Sequence, residues 1–347
     1  SVKASPTTKS QYTIPLYKYH HGSEYKRATE SLNDYSAQGL NDIAYYGPVS
    51  VGSQVFQLMF DSGSPLLWVP AANCTSSGCT GHLRFNQSSP LLGPISIQYM
   101  TGSMDGYLSE IDVTLAGLTA KNQKFGLAYN VSSTFSSYTF DGIFGLSPRD
   151  DPDAGTLNPV KTLAAQHVID PYVAIHLQRS ASKGDQGTLT LGGIDNSKFT
   201  GYVNYNNVTN DTAWWTISID NIMVAGKSTV QKRFAIVDTG TTLIVAPPDD
   251  AQEIHSLIPG SSFDPTTGLY SIPCNTVFNM SFVFGGILYH IKDSDVILPD
   301  TEGCVSGVMS GISYGAYDWV VGDVFLKNVY TVFNYGNLSV GLAPSVN

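Results

Sequence analysis

Charge is scarce in this chain of 347 residues. Asp, Glu, Lys and Arg make up only 13% of it, and the basic share is the smaller, with 18 Lys and Arg against 28 Asp and Glu and a formal charge of −10. A nucleic-acid surface needs clustered cations to neutralise phosphates, so no nucleic-acid partner is expected. Few cations also leave little positive charge to self-repel in acid, which suits an acidic workplace. Long apolar runs are missing as well. None approaches the ~20 residues of a membrane span, so no membrane partner is expected. Cysteine is limited to Cys74, Cys79, Cys274 and Cys304. No Cys-x-x-Cys pair or clustered His accompanies them, so neither a metal nor another cofactor is expected. No Gly-x-Ser-x-Gly elbow is joined to any of the seven His, which removes the common serine-hydrolase arrangement.

What is present is a composition for β-structure and turns: 42% hydrophobic residues, 33 Gly and 20 Tyr. Two short stretches organise it. Phe60-Asp61-Ser62-Gly63-Ser64 is echoed by Val237-Asp238-Thr239-Gly240-Thr241. In each, an apolar run leads to an Asp, a hydroxyl residue, a Gly and a second hydroxyl residue, and a second apolar run follows. This reads as a strand, a tight loop that lifts one carboxylate, and a returning strand. The Gly permits a turn that a Cβ would obstruct, and the hydroxyls are free to bond a carboxylate or a facing loop. One copy would be an ordinary turn. The duplication changes that. The two Asp lie 177 residues apart, and each is followed 84 residues later by the Gly of an apolar-Gly pair, Phe144-Gly145 and Val321-Gly322. Two signals at one spacing in both halves are an internal repeat. Its simplest geometry is a pseudo-two-fold with the Asp loops facing.

These residues, with Asp141-Gly142-Ile143-Phe144-Gly145-Leu146, Gly322-Asp323-Val324-Phe325-Leu326 and the ending Val340-Gly341-Leu342-Ala343-Pro344, resemble the pepsin-like aspartic proteases over about residues 45–344. The secreted fungal members are the most similar in look. The resemblance implies an all-β, bilobal fold: two pseudo-two-fold-related lobes, a deep central cleft and a β-hairpin flap. It implies a secreted aspartic endopeptidase in which Asp61 and Asp238 activate a water at acidic pH. Ser62 and Thr239 would cross-link the loops, Gly63 and Gly240 would donate N–H groups to the dyad, and Ser64 and Thr241 would bond the outer carboxylate oxygens. Ser62 departs from the commoner Thr but keeps the hydroxyl.

Residues 95–107 resemble the flap. Tyr99 would be the flap tyrosine with Trp68 as its hydrogen-bond partner, and Thr101 and Gly102 would contact substrate backbone. Met100 stands where the family usually has Gly, which calls the flap path and the pocket size into question. Phe135 would line an apolar pocket beside the cleaved bond; a plain core aromatic is the other reading of it. Some fungal relatives carry Asp at the position of Thr101 and accept Lys there, so Thr101 implies a preference for large apolar side chains. The implied partners are extended peptide or protein substrates and pepstatin-type inhibitors, and a monomer is expected. The competing readings are a catalytically silent binding protein of the same fold and, more remotely, a two-carboxylate glycosidase.

Four Cys allow three pairings. Pairing within each half is expected, and the resemblance implies Cys74–Cys79 and Cys274–Cys304. Sequons begin at Asn73, Asn86, Asn130, Asn207, Asn210, Asn279 and Asn337. Together with paired Cys they point to the secretory route, with an extracellular or vacuolar destination. Residues 1–27 stand apart. They carry Lys3, Lys9, Lys18, Lys26 and Arg27 with Glu24 as the lone acid, and end in a dibasic pair. They are expected to be residual prosegment of a zymogen or an N-terminal extension that includes a strand over 12–18. The lobes are expected over 28–203 and 204–347. Strand, turn and strand are expected over 43–52, and helices over 158–170, 247–257 and 322–328.

Overall fold

The computed structural model describes residues 26–37, 40–150, 155–179, 187–209, 213–300, 303–311 and 318–346. The expected strand over 12–18, most of the 1–27 segment and the sequon at Asn210 lie outside the described residues. The described strands form sheets of eight, seven, six and four strands, the bilobal all-β architecture the resemblance implies. The eight-stranded sheet is drawn from residues 33–145 and the seven-stranded sheet from residues 216–321. The six-stranded sheet takes strands from both halves. Ala28–Ser31, Tyr172–Leu177 and Gly187–Leu191 join Asn204–Asn207, Val329–Asn334 and Ser339–Pro344. It underlies both lobes, and one buried apolar core runs from Leu32 to Leu342.

The spacing of 84 has a direct structural meaning. The strand Gln54–Asp61 pairs in parallel with Gly142–Gly145, Asp61 opposite Gly145. Lys227–Val237 pairs in parallel with Asp318–Val321, Val237 opposite Val321. Both registers carry the same offset, so the repeat seen in the sequence is a strand register used twice. Strands buried on both faces read as unbroken apolar runs, as Leu58-Met59-Phe60 and Ala235-Ile236-Val237 do; all six residues are buried.

The turn expected within 43–52 is not formed. Leu40–Val51 is one strand that contains Pro48. Gln57, opposite Pro48, directs its own N–H and C=O to Asp141. The nitrogen of Pro48 therefore faces the other side. There, pairing to Asn33–Ala37 ends at Tyr46 and pairing to Ser103–Leu115 begins at Ser50. A residue without an N–H sits in that gap at no cost in ladder bonds. The helices form where expected but are shorter: Pro159–Ala165, Pro248–Ser256 and Asp323–Leu326. The first is capped by Asn158, whose side chain accepts from Lys161 N at 3.1 Å. The disulfides are Cys74–Cys79 and Cys274–Cys304. At the N-terminal edge, Lys26 N donates to Val168 O at 2.8 Å and Arg27 to Ile194 O at 2.6 Å.

The helix Pro248–Ser256 is tied to the second lobe through buried Asp250. Its carboxylate accepts from Arg233 Nε and Nη2 at 2.8 and 2.9 Å and from Trp319 Nε1 at 2.9 Å. Asp250→Ala would remove two hydrogen-bond acceptors from the Arg233 guanidinium and leave the buried Trp319 indole N–H without its acceptor. We predict a loss of about 3 kcal/mol in urea unfolding, and a smaller one for Asp250→Asn, which keeps an acceptor.

Candidate active site

Asp61 ends the strand Gln54–Asp61 and Asp238 directly follows the strand Lys227–Val237, both buried at that end, and the two loops that follow are built alike. Gly63 N donates to Asp61 Oδ1 at 2.8 Å, and Gly240 N donates to Asp238 Oδ1 at 2.9 Å. Ser64 Oγ donates to Asp61 Oδ2, and Thr241 Oγ1 donates to Asp238 Oδ2 at 2.6 Å. The loops also hold each other. Ser62 N donates to Thr239 Oγ1 at 3.0 Å, and Thr239 N donates to Ser62 Oγ at 2.9 Å. Each hydroxyl passes its own proton across the axis, Ser62 Oγ to Val237 O at 2.9 Å and Thr239 Oγ1 to Phe60 O at 2.7 Å. All four bonds cross between halves, and both hydroxyl residues are buried.

The two glycines are required for a reason the sequence does not display. Neither has a left-handed backbone. A Cβ at Gly63 would lie 2.8 and 2.9 Å from the two oxygens of Asp238, and a Cβ at Gly240 would collide with the carboxylate of Asp61. Each Gly thus makes room for the opposite Asp. The two carboxyl groups face each other across the axis, each beside the glycine of the opposite loop, and Asp61 is only 5% exposed. Burial, and after it the neighbouring Asp238, pushes Asp61 well above the usual carboxylate range; the Ser64 hydroxyl and Gly63 N–H pull it back in part.

The carboxyl pair lies in a cavity of about 420 Å³ whose lining includes Tyr99, Met100 and Thr101 from the hairpin of Leu91–Gln98 and Ser103–Leu115. Trp68 Nε1 donates to Tyr99 Oη at 2.7 Å, joining the hairpin to the first lobe. Met100 leaves the hairpin path regular. Tyr99 N still closes the tip on Gly102 O at 2.7 Å, and Met100 needs no left-handed backbone. Its side chain is half exposed and lines the cavity, so its effect falls on pocket size. Thr101 O accepts from Thr134 Oγ1 at 3.0 Å. Phe135 is both core and lining. It is buried, and its ring lies 5.3 Å from Trp68 and 6.1 Å from Tyr99.

Several lining residues carried no sequence signal. Tyr138 stacks on Phe140 at 4.7 Å and is flanked by Tyr35 at 5.6 Å. Met59 and Ile143 complete that side. Trp214, Ile236, Met309 and Val320 form the wall on the second lobe. An apolar residue in a strand reads the same whether it faces the core or a cleft, so only tertiary placement separates them. Asn73, Asn86, Asn130, Asn207, Asn279 and Asn337 are all exposed. Among the described residues no group of three or more His, Cys, Asp or Glu is placed to hold a metal ion.

The chain matches the family described as eukaryotic aspartyl protease over residues 44–345. It is 34% identical to a probable aspartic-type endopeptidase CTSD of Arthroderma benhamiae, over 96% of this chain and 71% of that protein. It is 35% identical to the aspartic-type endopeptidase ctsD of Aspergillus fumigatus, over 91% and 68%. It is 36% identical to cathepsin E of Mus musculus, over 94% and 87%.

The cross-axis bonds yield a prediction. Thr239→Val keeps the shape and removes both the proton given to Phe60 O and the acceptor of Ser62 N. We expect about 2 kcal/mol of destabilisation in urea unfolding, and a fall in kcat larger than the change in KM.

Proposed function

The chain belongs to the eukaryotic aspartyl protease family and is an aspartic-type endopeptidase, and on that premise we propose that Asp61 and Asp238 are its catalytic pair. The observation that carries this is two facing carboxyl groups in one cavity, each held by the same donors from its own loop. Two adjacent carboxyls cannot both ionise cheaply, so they share a proton and titrate as a pair. The ionised member takes a proton from a water, and that water attacks the scissile carbonyl carbon. The protonated member donates to the carbonyl oxygen, and a tetrahedral gem-diol forms with no acyl-enzyme. Return of a proton to the nitrogen lets the C–N bond break. Ser62, Gly63, Ser64, Thr239, Gly240 and Thr241 hold this geometry in advance, so little reorganisation accompanies the reaction.

The substrate is an extended peptide that lies along the cleft beneath Tyr99, Met100, Thr101 and Gly102. Aromatic and aliphatic walls on both sides of the carboxyl pair favour large apolar side chains at the cleaved bond. Thr101 offers no charge for a Lys. Activity requires one proton on the pair. It falls in strong acid, when both carboxyls are protonated and no base remains, and falls again as pH rises and the donor is lost. We assign the working range to acid. Two disulfides and six exposed sequons support passage through the secretory route to the cell exterior or a vacuole, as a glycoprotein. No helix among the described residues is long and apolar enough to cross a membrane. We read 1–27 as prosegment or N-terminal extension, 28–203 and 204–347 as the lobes, and the enzyme as a monomer.

The test is cleavage of an unfolded protein and quenched peptides from pH 2 to 8, with and without pepstatin. Activity in acid, blocked by pepstatin and lowered on the order of 10⁴-fold by Asp61→Asn, is expected. Pepstatin-resistant activity, or an Asp61→Asn variant of near wild-type rate, would refute the dyad. In a peptide library, Phe, Leu and Met should be enriched beside the cut. Thr101→Asp should raise cleavage after Lys, and efficient cleavage after Lys by the unaltered enzyme would count against the apolar preference.

A further inference from the structure

The eight-stranded sheet carries a side-chain cluster that the active site does not use. Tyr107 stands on the strand Ser103–Leu115 and Tyr129 on its neighbour Leu118–Val131. They are 40% and 39% exposed, and their ring centroids lie 5.3 Å apart. A single exposed aromatic is ordinary on a protein surface. Two that pack on one another in the open form an apolar platform that water covers at a cost.

A local irregularity sets an asparagine beside this platform. The two strands pair Asp105 with Asn130 and Gly106 with Ala128, which leaves Tyr129 as an extra residue. Side chains on a regular strand alternate between faces, and a β-bulge interrupts the alternation. Tyr129 and Asn130 are consecutive, yet both are exposed. Asn130 Nδ2 donates to Asp105 Oδ2 at 2.9 Å, and Ser96 Oγ donates to Asp105 Oδ1 at 2.8 Å. These bonds, that of Asn130 first, hold the Asp105 carboxyl below the usual carboxylate range. Asp105 and Tyr107 are two apart on their strand and share a face. The amide of Asn130 is therefore aimed by a carboxylate on the side of the sheet that bears the two rings. Asn130-Val131-Ser132 is also a sequon.

We propose that Asn130 carries an N-linked glycan and that Tyr107 and Tyr129 are the platform on which its first sugar packs. The donor is a lipid-linked oligosaccharide diphosphate of the secretory route. The bond from sugar C1 to the diphosphate oxygen breaks, C1 bonds to Nδ2, and the displaced amide proton leaves with the diphosphate. The new secondary amide keeps one N–H, which is all that the bond to Asp105 requires. One face of a pyranose ring is lined with C–H groups. These pack on the face of an aromatic ring, where its quadrupole is negative. The sugar covers the ring pair that the protein leaves open.

The inference rests on the reading of the chain as a secreted glycoprotein, and the experiment keeps the two claims apart. Protein secreted from a eukaryotic host is digested, and its glycopeptides are mapped by mass. A glycan on the Asn130 peptide is expected. Glycan at other sequons with Asn130 bare overturns the inference and leaves the secretory reading standing; no glycan at any sequon overturns both. The platform is tested by nitrating the folded protein with tetranitromethane and locating nitrotyrosine by peptide mass. In Asn130→Gln, which keeps an amide but accepts no glycan, nitration of Tyr107 and Tyr129 should rise several-fold over wild type. Tyr202, 68% exposed and outside this sheet, should react alike in both proteins. Wild type trimmed to a single N-acetylhexosamine at each site should keep its protection, because the platform meets the first sugar. Equal nitration of Tyr107 and Tyr129 in variant and wild type overturns the inference, and so does protection that trimming abolishes. Ser132→Ala, which removes the sequon and leaves Asn130 and Asp105 in place, serves the same measurement if the Gln variant does not fold.

Discussion

Two peptide N–H groups, those of Ser62 and Thr239, are buried at the axis between the lobes, and each finds its acceptor in the hydroxyl of the opposite loop. A buried N–H without an acceptor is costly, so the loops cannot separate without losing both bonds. The same hydroxyls pass their protons to Phe60 O and Val237 O, the ends of the strands that carry the Asp residues. The positions of the two carboxyls are thereby set by backbone on both sides of the axis. Gly63 and Gly240 then allow the approach, since each lacks the atom that would strike the opposite carboxylate.

That constraint explains why the lobes share more than a cleft. The carbonyl of Leu146, in the first half, accepts from Trp215 Nε1 at 2.8 Å and from Tyr335 Oη at 2.7 Å, both in the second. The six-stranded sheet takes strands from each half, and the cluster of Asp42, Lys327, Asp295 and Arg179 joins a strand of the first half to the helical turn behind the second Asp loop. Symmetry governs the carboxyl pair, and asymmetry enters around it. The first half supplies the hairpin that carries Tyr99, held by Trp68, and the aromatic wall of Phe135, Tyr138 and Phe140; the second supplies Trp214, Ile236, Met309 and Val320. A cleft so built has a direction, as a peptide does.

The readable features were those in which a local pattern is itself the structure. The offset of 84 is a strand register, the same in both lobes. The Asp-hydroxyl-Gly-hydroxyl pattern is a loop whose donors lie within three residues of the carboxylate they bind. Tyr99 and Trp68 were paired from the family resemblance, and their hydrogen bond is formed. The strand, turn and strand expected over 43–52 is one strand, because two partner strands leave a gap at the place where Pro48 has no N–H to give. Tyr138 was not singled out, because nothing in its own neighbourhood says that its ring closes a cavity wall.

Two Asp loops, their spacing, the β-rich class and the family were determined by the sequence alone, because repetition and short hydrogen-bonded motifs survive without knowledge of distant contacts. Tertiary structure alone decided which carboxyl is desolvated, which glycine faces which carboxylate and which apolar residues line the cleft. It also decided that Asp323, indistinguishable in the sequence from any acid opening a helical turn, is buried with no partner for its oxygens. Each of these depends on groups far apart in the chain, and desolvation, which sets a carboxyl's charge, is a property of that assembled surrounding.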